Sequence, residues 1–326
     1  MGLGRYMARR FLIAFTTLFV IVNVQFFIFQ VVNPVDPVRL MIGPGFTPET
    51  RQMLIVLYGL DKPLFERYFI YIKNLYTFTF GISFLSRRPV IVDILSYLPN
   101  TLYLLGLAMI FRLLFGIISG LTAASKRGKR WDVTIVSIGL ISWAMPAFIL
   151  QLLFRFVFCS QLKWFPFGMM TSYPPPTAPL EYLKDLLYHT ALPVTTMVAM
   201  GFGSWAFYTR NLLVGVLTED YVLTARAKGI KERIIVWKHG FRVILPPIVT
   251  MIFLGLPGLI TGAIITEYIF TWPGLGWWLV HSTMNADYPS VQAMFFIYSI
   301  LMLLSNFLAD LTYGYLDPRI RVGMRR

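Results

Sequence analysis

Charged residues are scarce in this chain: 13% of its 326 residues are Asp, Glu, Lys or Arg, whereas 57% are hydrophobic and 16% aromatic. Such a chain has too little polar surface to cover a soluble globule, so the composition predicts an integral membrane protein. Acidic residues are scarcer than basic ones, and the formal net charge is +14. The positions of the Lys and Arg residues decide what this charge means.

Several chemical signatures are missing. The single cysteine, Cys159, excludes a disulfide framework and a cysteine metal cluster, and its apolar surroundings predict an ordinary packed residue. His189, His239 and His281 stand alone, without a partner at metal or catalytic spacing. The chain has no Gly-x4-Gly-Lys-Ser/Thr nucleotide loop, no nucleophile elbow and no cluster of intramembrane carboxylates. We therefore predict a non-catalytic protein without a metal or cofactor of its own.

Long apolar runs divide the chain. The first, 11–35, has no charged residue and follows Arg5, Arg9 and Arg10, which predicts a retained membrane span with a cytoplasmic N-terminus. Five further spans are predicted at 100–125, 132–158, 189–216, 243–270 and 288–309. The predicted fold is therefore an all-α membrane protein of six transmembrane helices with both termini inside.

Basic residues agree with this orientation. Six spans leave four cytoplasmic segments, and these hold 18 of the 29 Lys and Arg residues: 1–10, 126–130, 210–242 and 319–326. The positive charge therefore needs no nucleic-acid partner. Residues 36–99, with mixed composition, are predicted to form a small extracytoplasmic subdomain that packs onto the membrane part and contains a helix over 64–75. The remaining 100–318 would form the transmembrane core.

Arg112 falls near the middle of the second predicted span. A cation at that depth costs about 2.5 to 3.5 kcal/mol, so it must face a wet cavity or a partner. Two interpretations stay open: a packing cation neutralised by a neighbouring helix, or direct contact with a transported solute. Arg112 and Glu267 are the candidate translocation-path residues. Pro246 and Pro247 predict an interrupted helix at the start of the fifth span.

The segment 218–242 is the one long polar stretch between two apolar runs. It predicts a short helix over 221–228, capped at its start by Asp220 and ended by Gly229 in the left-handed conformation. After Gly229, an apolar stripe among basic residues predicts an amphipathic helix at the membrane surface: Ile230, Ile234, Trp237 and Phe241. Either the short helix docks into a groove of another protein, or the segment is a solvated loop resting on the interface.

The residue pattern of this segment favours docking. Asp220-Tyr221, Thr224-Ala225-Arg226-Ala227-Lys228-Gly229 and the later His239 and Arg242 closely resemble the cytoplasmic coupling loop of ABC-importer permeases, in the dipeptide, oligopeptide and nickel branch. The general importer pattern has Glu-Ala-Ala, three residues, then Gly. Only Ala225 and Gly229 keep it here, and Leu223 and Thr224 replace the Glu and the first Ala. Trp272-Pro273-Gly274-Leu275-Gly276 and Leu316-Asp317-Pro318-Arg319-Ile320-Arg321 also resemble this branch.

The resemblance implies a type I ABC importer permease in the cytoplasmic or inner cell membrane, forming the path for peptides or a related solute. It implies three kinds of partner besides the lipid: a second permease (a homologue or a second copy), two cytoplasmic ATPases that hold ATP and Mg²⁺, and an extracytoplasmic solute-binding protein. The implied ATPase-coupling residues are Asp220, Tyr221, Thr224, Ala225, Arg226, Ala227, Lys228, Gly229, His239 and Arg242. Oligosaccharide or nickel import stays open, as does a stand-alone secondary carrier, although such carriers usually show inverted repeats or paired mid-membrane charges.

Overall fold

A computed structural model describes residues 3–32 and 61–316, together with 49, 52 and 55. Throughout this part the ordered elements are helices, and the only extended pairing is an isolated bridge between Ile82 and Pro89. The all-helical prediction is therefore confirmed for the described residues. The chain divides into two compact units, the first built from 1–99, 278–314 and 318–326, and the second from 100–277 and 315–317.

Ten helices of the described part are labelled here in chain order. They are α1 (Leu3–Phe27), α2 (Leu64–Tyr76), α3 (Val90–Ser125), α4 (Arg130–Ala144), α5 (Ala147–Phe154), α6 (Pro179–Val216), α7 (Asp220–Ala227), α8 (Phe241–Ile269), α9 (Leu275–Met284) and α10 (Tyr288–Leu316). π-helical stretches extend α1 and α5 and precede α8: Ile28–Val32, Arg155–Gln161 and Ile235–Gly240. A single helical turn, Glu232–Ile234, leads into the last of these.

In the first unit, the amphipathic helix α2 packs along α1. Val22, Leu75 and Phe296 form its buried contact with α1 and α10. At the edge of this contact the Tyr68 hydroxyl donates to Asn23 Oδ1 at 2.8 Å. The helix predicted over 64–75 is thus confirmed, and its C-terminal end at Leu75 is covered by α1 and α10, whereas Phe65 and Phe69 are exposed.

In the second unit, α6 is the most enclosed helix. It approaches α4 so closely that Gly139 and Gly203 touch through their backbones, a contact that any side chain would block. Its other side meets α3 and α8 in an apolar cluster that includes Leu121, Trp205 and Ile248. The close contacts of α6 with its neighbours hold α3, α4 and α8 in one body.

Four helical stretches of the described part are long and apolar enough to cross a membrane, and a fifth is added if the bent pair α4 and α5 counts as one span. Helix α6 is not among these stretches, because its mean hydropathy is too low, although residues 189–209 contain no Asp, Glu, Lys or Arg. The reason is visible in its buried Thr190, Thr196 and Gly201, which face protein instead of lipid. The six-span count therefore stays a prediction.

Two predicted spans have different boundaries. The second helix begins at Val90, ten residues before the predicted start at Asn100. The third span, predicted as continuous over 132–158, is broken, because α4 and α5 meet at an angle of 104°. The break lies at Met145, whose extended ψ of 133° is the conformation that a following proline, Pro146, imposes.

The prediction of an interrupted helix at Pro246 and Pro247 was wrong. Helix α8 passes through both prolines. The carbonyls that lose their N–H partners belong to Arg242 and Val243, which are exposed at the polar end of the helix where water can bind them.

Two further residues of the second unit are bonded or buried within the π-helical stretch 155–161. Arg155 Nη1 donates to the carbonyl of Ile269 at 2.5 Å. Cys159 is buried in an apolar cluster with Leu192 and Phe270, as predicted. Most of the predicted extracytoplasmic subdomain before residue 61, the motif residues 317–321 and the basic tail 319–326 lie outside the described residues.

Candidate functional site

The short helix α7 is the centre of the candidate site. Its C-terminal end is as predicted: Gly229 has a φ of +73°, and the two hydrogen bonds of a Schellman motif close the helix. The Ile230 N–H donates to the Ala225 carbonyl at 3.2 Å, and the Gly229 N–H to the Arg226 carbonyl at 2.9 Å. Its start differs from the prediction. Asp220 is the first helical residue rather than the cap, and the preceding Glu219 makes no side-chain cap either.

Helix α7 has one inward and one outward side. Val222 is completely buried, and Ala225 and Arg226 lie within about 60° of it around the helix axis. The outward side consists of exposed residues: Asp220, Thr224 and Ala227, flanked by Tyr221, Leu223 and Lys228. The predicted coupling residues therefore separate into an inward pair, Ala225 and Arg226, and an outward face.

Arg226 ties α7 to the next helical stretch. Its guanidinium binds both carboxylate oxygens of Glu232, with Nε to Oε2 at 3.1 Å and Nη2 to Oε1 at 2.8 Å. Its Nη1 also donates to the Leu217 carbonyl at 3.4 Å. The hydrogen bonds that Arg226 donates to the Glu232 carboxylate raise the pKa of Arg226, so the guanidinium stays charged at any physiological pH. Arg226, one of the predicted coupling residues, therefore bridges the Gly229 joint.

Beyond the joint, the chain is helical without interruption from Glu232 to Ile269. Ile235, Val236 and Gly240 are buried, and Val236 belongs to the cluster formed with α3 and α6. Gly240 permits close approach to α6, since a Cβ there would lie 2.5 Å from the Leu213 Cδ1. Helix α7 is therefore joined, through the stretch 232–240, to packed, membrane-length helices.

Of the predicted surface stripe, Ile234 and Trp237 are exposed, each at 43%, whereas Ile230 and Phe241 are half-buried. The position of this stripe on the membrane surface stays a prediction. His239 and Arg242 are exposed on the same helical stretch. No hydrogen bond or ion pair of the described residues joins these two to α7. The structure therefore brings together 220–232 but leaves His239 and Arg242 apart from that group.

A buried ion pair near the same ends of the helices was not found from the sequence. Arg210, on α6, binds Asp132, on α4, through two bonds of 2.6 and 2.7 Å. The Gly128 N–H donates to the same carboxylate at 3.0 Å. The sequence signal was available, because Asp132 and Arg210 are charges at the ends of neighbouring predicted spans.

The two candidate translocation-path residues lie in different surroundings. Glu267 is completely buried and accepts the N–H groups of Gly276 at 2.6 Å and Trp277 at 3.2 Å, which caps the start of α9. Arg112 lies on α3 against the backbone of Gly201 on α6, beside a small cavity. Glu267 therefore stabilises the start of α9, whereas Arg112 lines a cavity.

Long apolar helices interrupted by one short, exposed polar helix define a membrane-embedded protein. The chain belongs to the family of binding-protein-dependent transport system inner membrane components. The family's sequence profile matches residues 112–322, and the profile of the N-terminal region of such components matches residues 3–105.

Individual relatives match over nearly their whole length. The glutathione transport system permease protein GsiC of Escherichia coli (strain K12) is 37% identical over 316 residues, 97% of this chain and 98% of the relative. The oligopeptide transport system permease protein AppB of Bacillus subtilis (strain 168) is 34% identical over 320 residues, 98% of this chain and 99% of the relative. These matches confirm the resemblance to the peptide branch of ABC-importer permeases and the location in the inner membrane.

Proposed function

We propose that this chain forms part of the membrane path of an ATP-driven importer for peptides, and that α7 is the element through which ATPase subunits move it. Peptides are favoured because GsiC and AppB are named for glutathione and oligopeptide transport. In this proposal the chain crosses the membrane six times with both termini inside. It pairs with a second permease and receives its solute from a binding protein.

The observation that carries the proposal is the two-sidedness of α7. Its inward side is fixed to the membrane helices by buried Val222 and by the ion pair of Arg226 with Glu232. Its outward side presents small and polar residues, including Thr224 and Ala227, to a partner. A helix of this length is about 12 Å long, which suits insertion into a groove rather than membrane crossing.

In this proposal, movement reaches the membrane helices through the stretch 232–240, which joins α7 to α8. When the ATPase pair closes, its groove pulls α7, and the ion pair across Gly229 makes the turn 232–240 follow. Gly240 presses against Leu213 of α6, so α6 and α8 shift together as packed bodies. Opening of the solute path then results from relative movement of rigid helices.

A size increase on the outward side tests this function. Ala227→Trp in the complete transporter, reconstituted in vesicles with its binding protein, should lower ATP-driven peptide uptake by roughly tenfold or more, because the ring blocks a close-packed contact. The matched control is Ser125→Trp, at the exposed end of α3. Equal uptake by the two variants would contradict docking through α7.

The same vesicles test the competing functions. Oligosaccharides or Ni²⁺ supplied with the matching binding protein replace the peptide in parallel assays, and preferred uptake of either would change the proposed solute. Uptake driven by an ion gradient without nucleotide would show a secondary carrier instead of an ABC importer.

A further inference from the structure

Arg112 lies deep in α3. Thirteen residues separate it from the end of the helix at Ser125, which is about 20 Å along the axis. At such a depth a cation without a counter-charge costs about 3 kcal/mol, and cations in this position generally face a cavity or a partner.

The described residues supply no counter-charge. None of their ion pairs includes Arg112, and its Nε is buried without a hydrogen-bond partner. The buried carboxylates of the same unit have other contacts, because Glu267 caps α9 and Asp132 binds Arg210. The guanidinium is therefore available to an anion that is not part of the described chain.

Two glycines make room around Arg112. The guanidinium lies directly on Gly201, where a Cβ would overlap its Nε and Cζ atoms. Beside it is a cavity of about 30 Å³ among α3, α6 and α8, lined by Met109, Arg112, Leu113, Trp205, Ile252 and Gly255. At Gly255 a Cβ would lie 3.7 Å from Trp205 Cζ2, so this glycine leaves open space without a clash. The cavity is larger than one water molecule needs. Arg112 is the only charged residue in its lining.

We propose that Arg112 is a carboxylate-binding site within the membrane path, which holds the C-terminal carboxylate of a peptide in transit. The inference rests on the proposed peptide import and adds the chemical group by which the membrane subunit recognises its solute. A guanidinium binds a carboxylate through two parallel hydrogen bonds, and the apolar wall of the cavity strengthens them.

Paired peptide libraries test the site. The complete transporter in vesicles is given, with saturating binding protein and ATP, tripeptides with free C-terminal carboxylates or the same tripeptides as C-terminal amides. Native protein should import the carboxylates about tenfold faster, which corresponds to one charge-assisted hydrogen bond. Arg112→Gln should lower the carboxylate rate to the amide rate and leave the amide rate unchanged, whereas Arg112→Lys should keep part of the preference.

A second variant keeps the charge and removes the space. Gly255→Ala fills part of the cavity at ordinary contact distance, so it should reduce the carboxylate preference while the complex assembles normally. The matched control is Gly106→Ala on the same helix as Arg112, where the added Cβ meets nothing within 4 Å. The control should import both libraries as the native protein does.

Three results would overturn the site. Equal slowing of both libraries by Arg112→Gln would show a packing role. Loss of the second permease from the purified Arg112→Gln complex would show that a protein carboxylate is the counter-charge. Normal import with an unchanged carboxylate preference in both Arg112→Gln and Gly255→Ala would show that the cavity does not bind the carboxylate. A different outcome, in which the native protein imports neither library with ATP, would contradict the proposed peptide import itself.

Discussion

The two short helices that flank α8 are attached in opposite ways. Helix α9, which follows it, starts on the buried carboxylate of Glu267, bound by the N–H groups of Gly276 and Trp277. Helix α7, which precedes it, has no side-chain cap, and its main polar tie is an ion pair whose side chains, Arg226 and Glu232, are 40% and 48% exposed. The comparison shows that the α9 end of α8 is fixed by buried hydrogen bonds, whereas α7, beyond the packed stretch 235–240, has only an exposed polar tie.

The fixed end is reinforced by α3. Asn100 Nδ2 donates to the Pro273 carbonyl at 2.7 Å, and Trp272 Nε1 donates to the Asn100 carbonyl at 3.1 Å. The Leu275 N–H donates to Thr101 Oγ1 at 2.8 Å. Buried hydrogen bonds of this kind are costly to break. A displacement that begins at α7 would therefore pivot about this turn.

The largest effect is expected at the fixed end. Glu267→Ala removes the acceptor for two buried N–H groups and should lower the free energy of unfolding by about 3 kcal/mol. Glu219→Ala, at the cap position of α7, should change it by less than about 0.5 kcal/mol, because that side chain makes no cap bond. Thermal unfolding of the two purified variants measures both effects. Equal shifts of the unfolding temperature would contradict the contrast between the two ends of α8.

An intermediate effect is expected at the joint. Gly229→Val forces a branched residue into the left-handed conformation, at a cost of about 1 to 2 kcal/mol. The space there is open, so the backbone alone is responsible. The variant subunit should stay in the membrane, and the complete transporter that contains it should still hydrolyse ATP while peptide uptake falls several-fold. The measurement is the ratio of the two rates in vesicles.

Two substitutions control for this joint. Gly229→Asn should keep the coupling, because asparagine tolerates the left-handed conformation. Gly215→Val, at another open position with ordinary φ, should leave coupling close to normal. Normal uptake by Gly229→Val would contradict the proposal that α7 transmits movement to α8 through the joint at Gly229.

The smallest effect is expected for the exposed ion pair. Arg226→Gln or Glu232→Gln should each cost about 0.5 kcal/mol in a thermal unfolding assay, and less at high salt. The exchange of the two charges, Arg226→Glu with Glu232→Arg, should restore most of the loss. A loss of several kcal/mol from either single change would mean that α7 is held as rigidly as α9.

Local signals in the sequence predicted the end of α7 well. Gly229, after a basic last turn, was sufficient to place the left-handed residue, because that conformation depends on one backbone position. The start was predicted less well, since Glu219 and Asp220 are equally plausible first-turn residues. The break at Met145 could also have been predicted, because Pro146 restricts the residue before it.

The contacts made across the fold could not be read from the sequence. Glu267 was placed near the outer end of its span, but its role depends on the turn that brings Gly276 back to it. Arg112 was identified as costly, whereas its cavity exists only because α6 and α8 cross α3 at Gly201 and Gly255. Periodicity and composition describe single helices and contain no information on such crossings.

Crosslinking from the outward side of α7 tests the central claim most directly. The only cysteine of the chain, Cys159, is buried, so Ala227→Cys introduces a single accessible thiol for a short photoactivatable crosslinker. In native membranes this position should join the chain to the ATP-binding subunit, identified by mass spectrometry, whereas Ser125→Cys should give little or no such product. Labelling of both positions without any ATP-binding subunit in the product of Ala227→Cys would contradict the account.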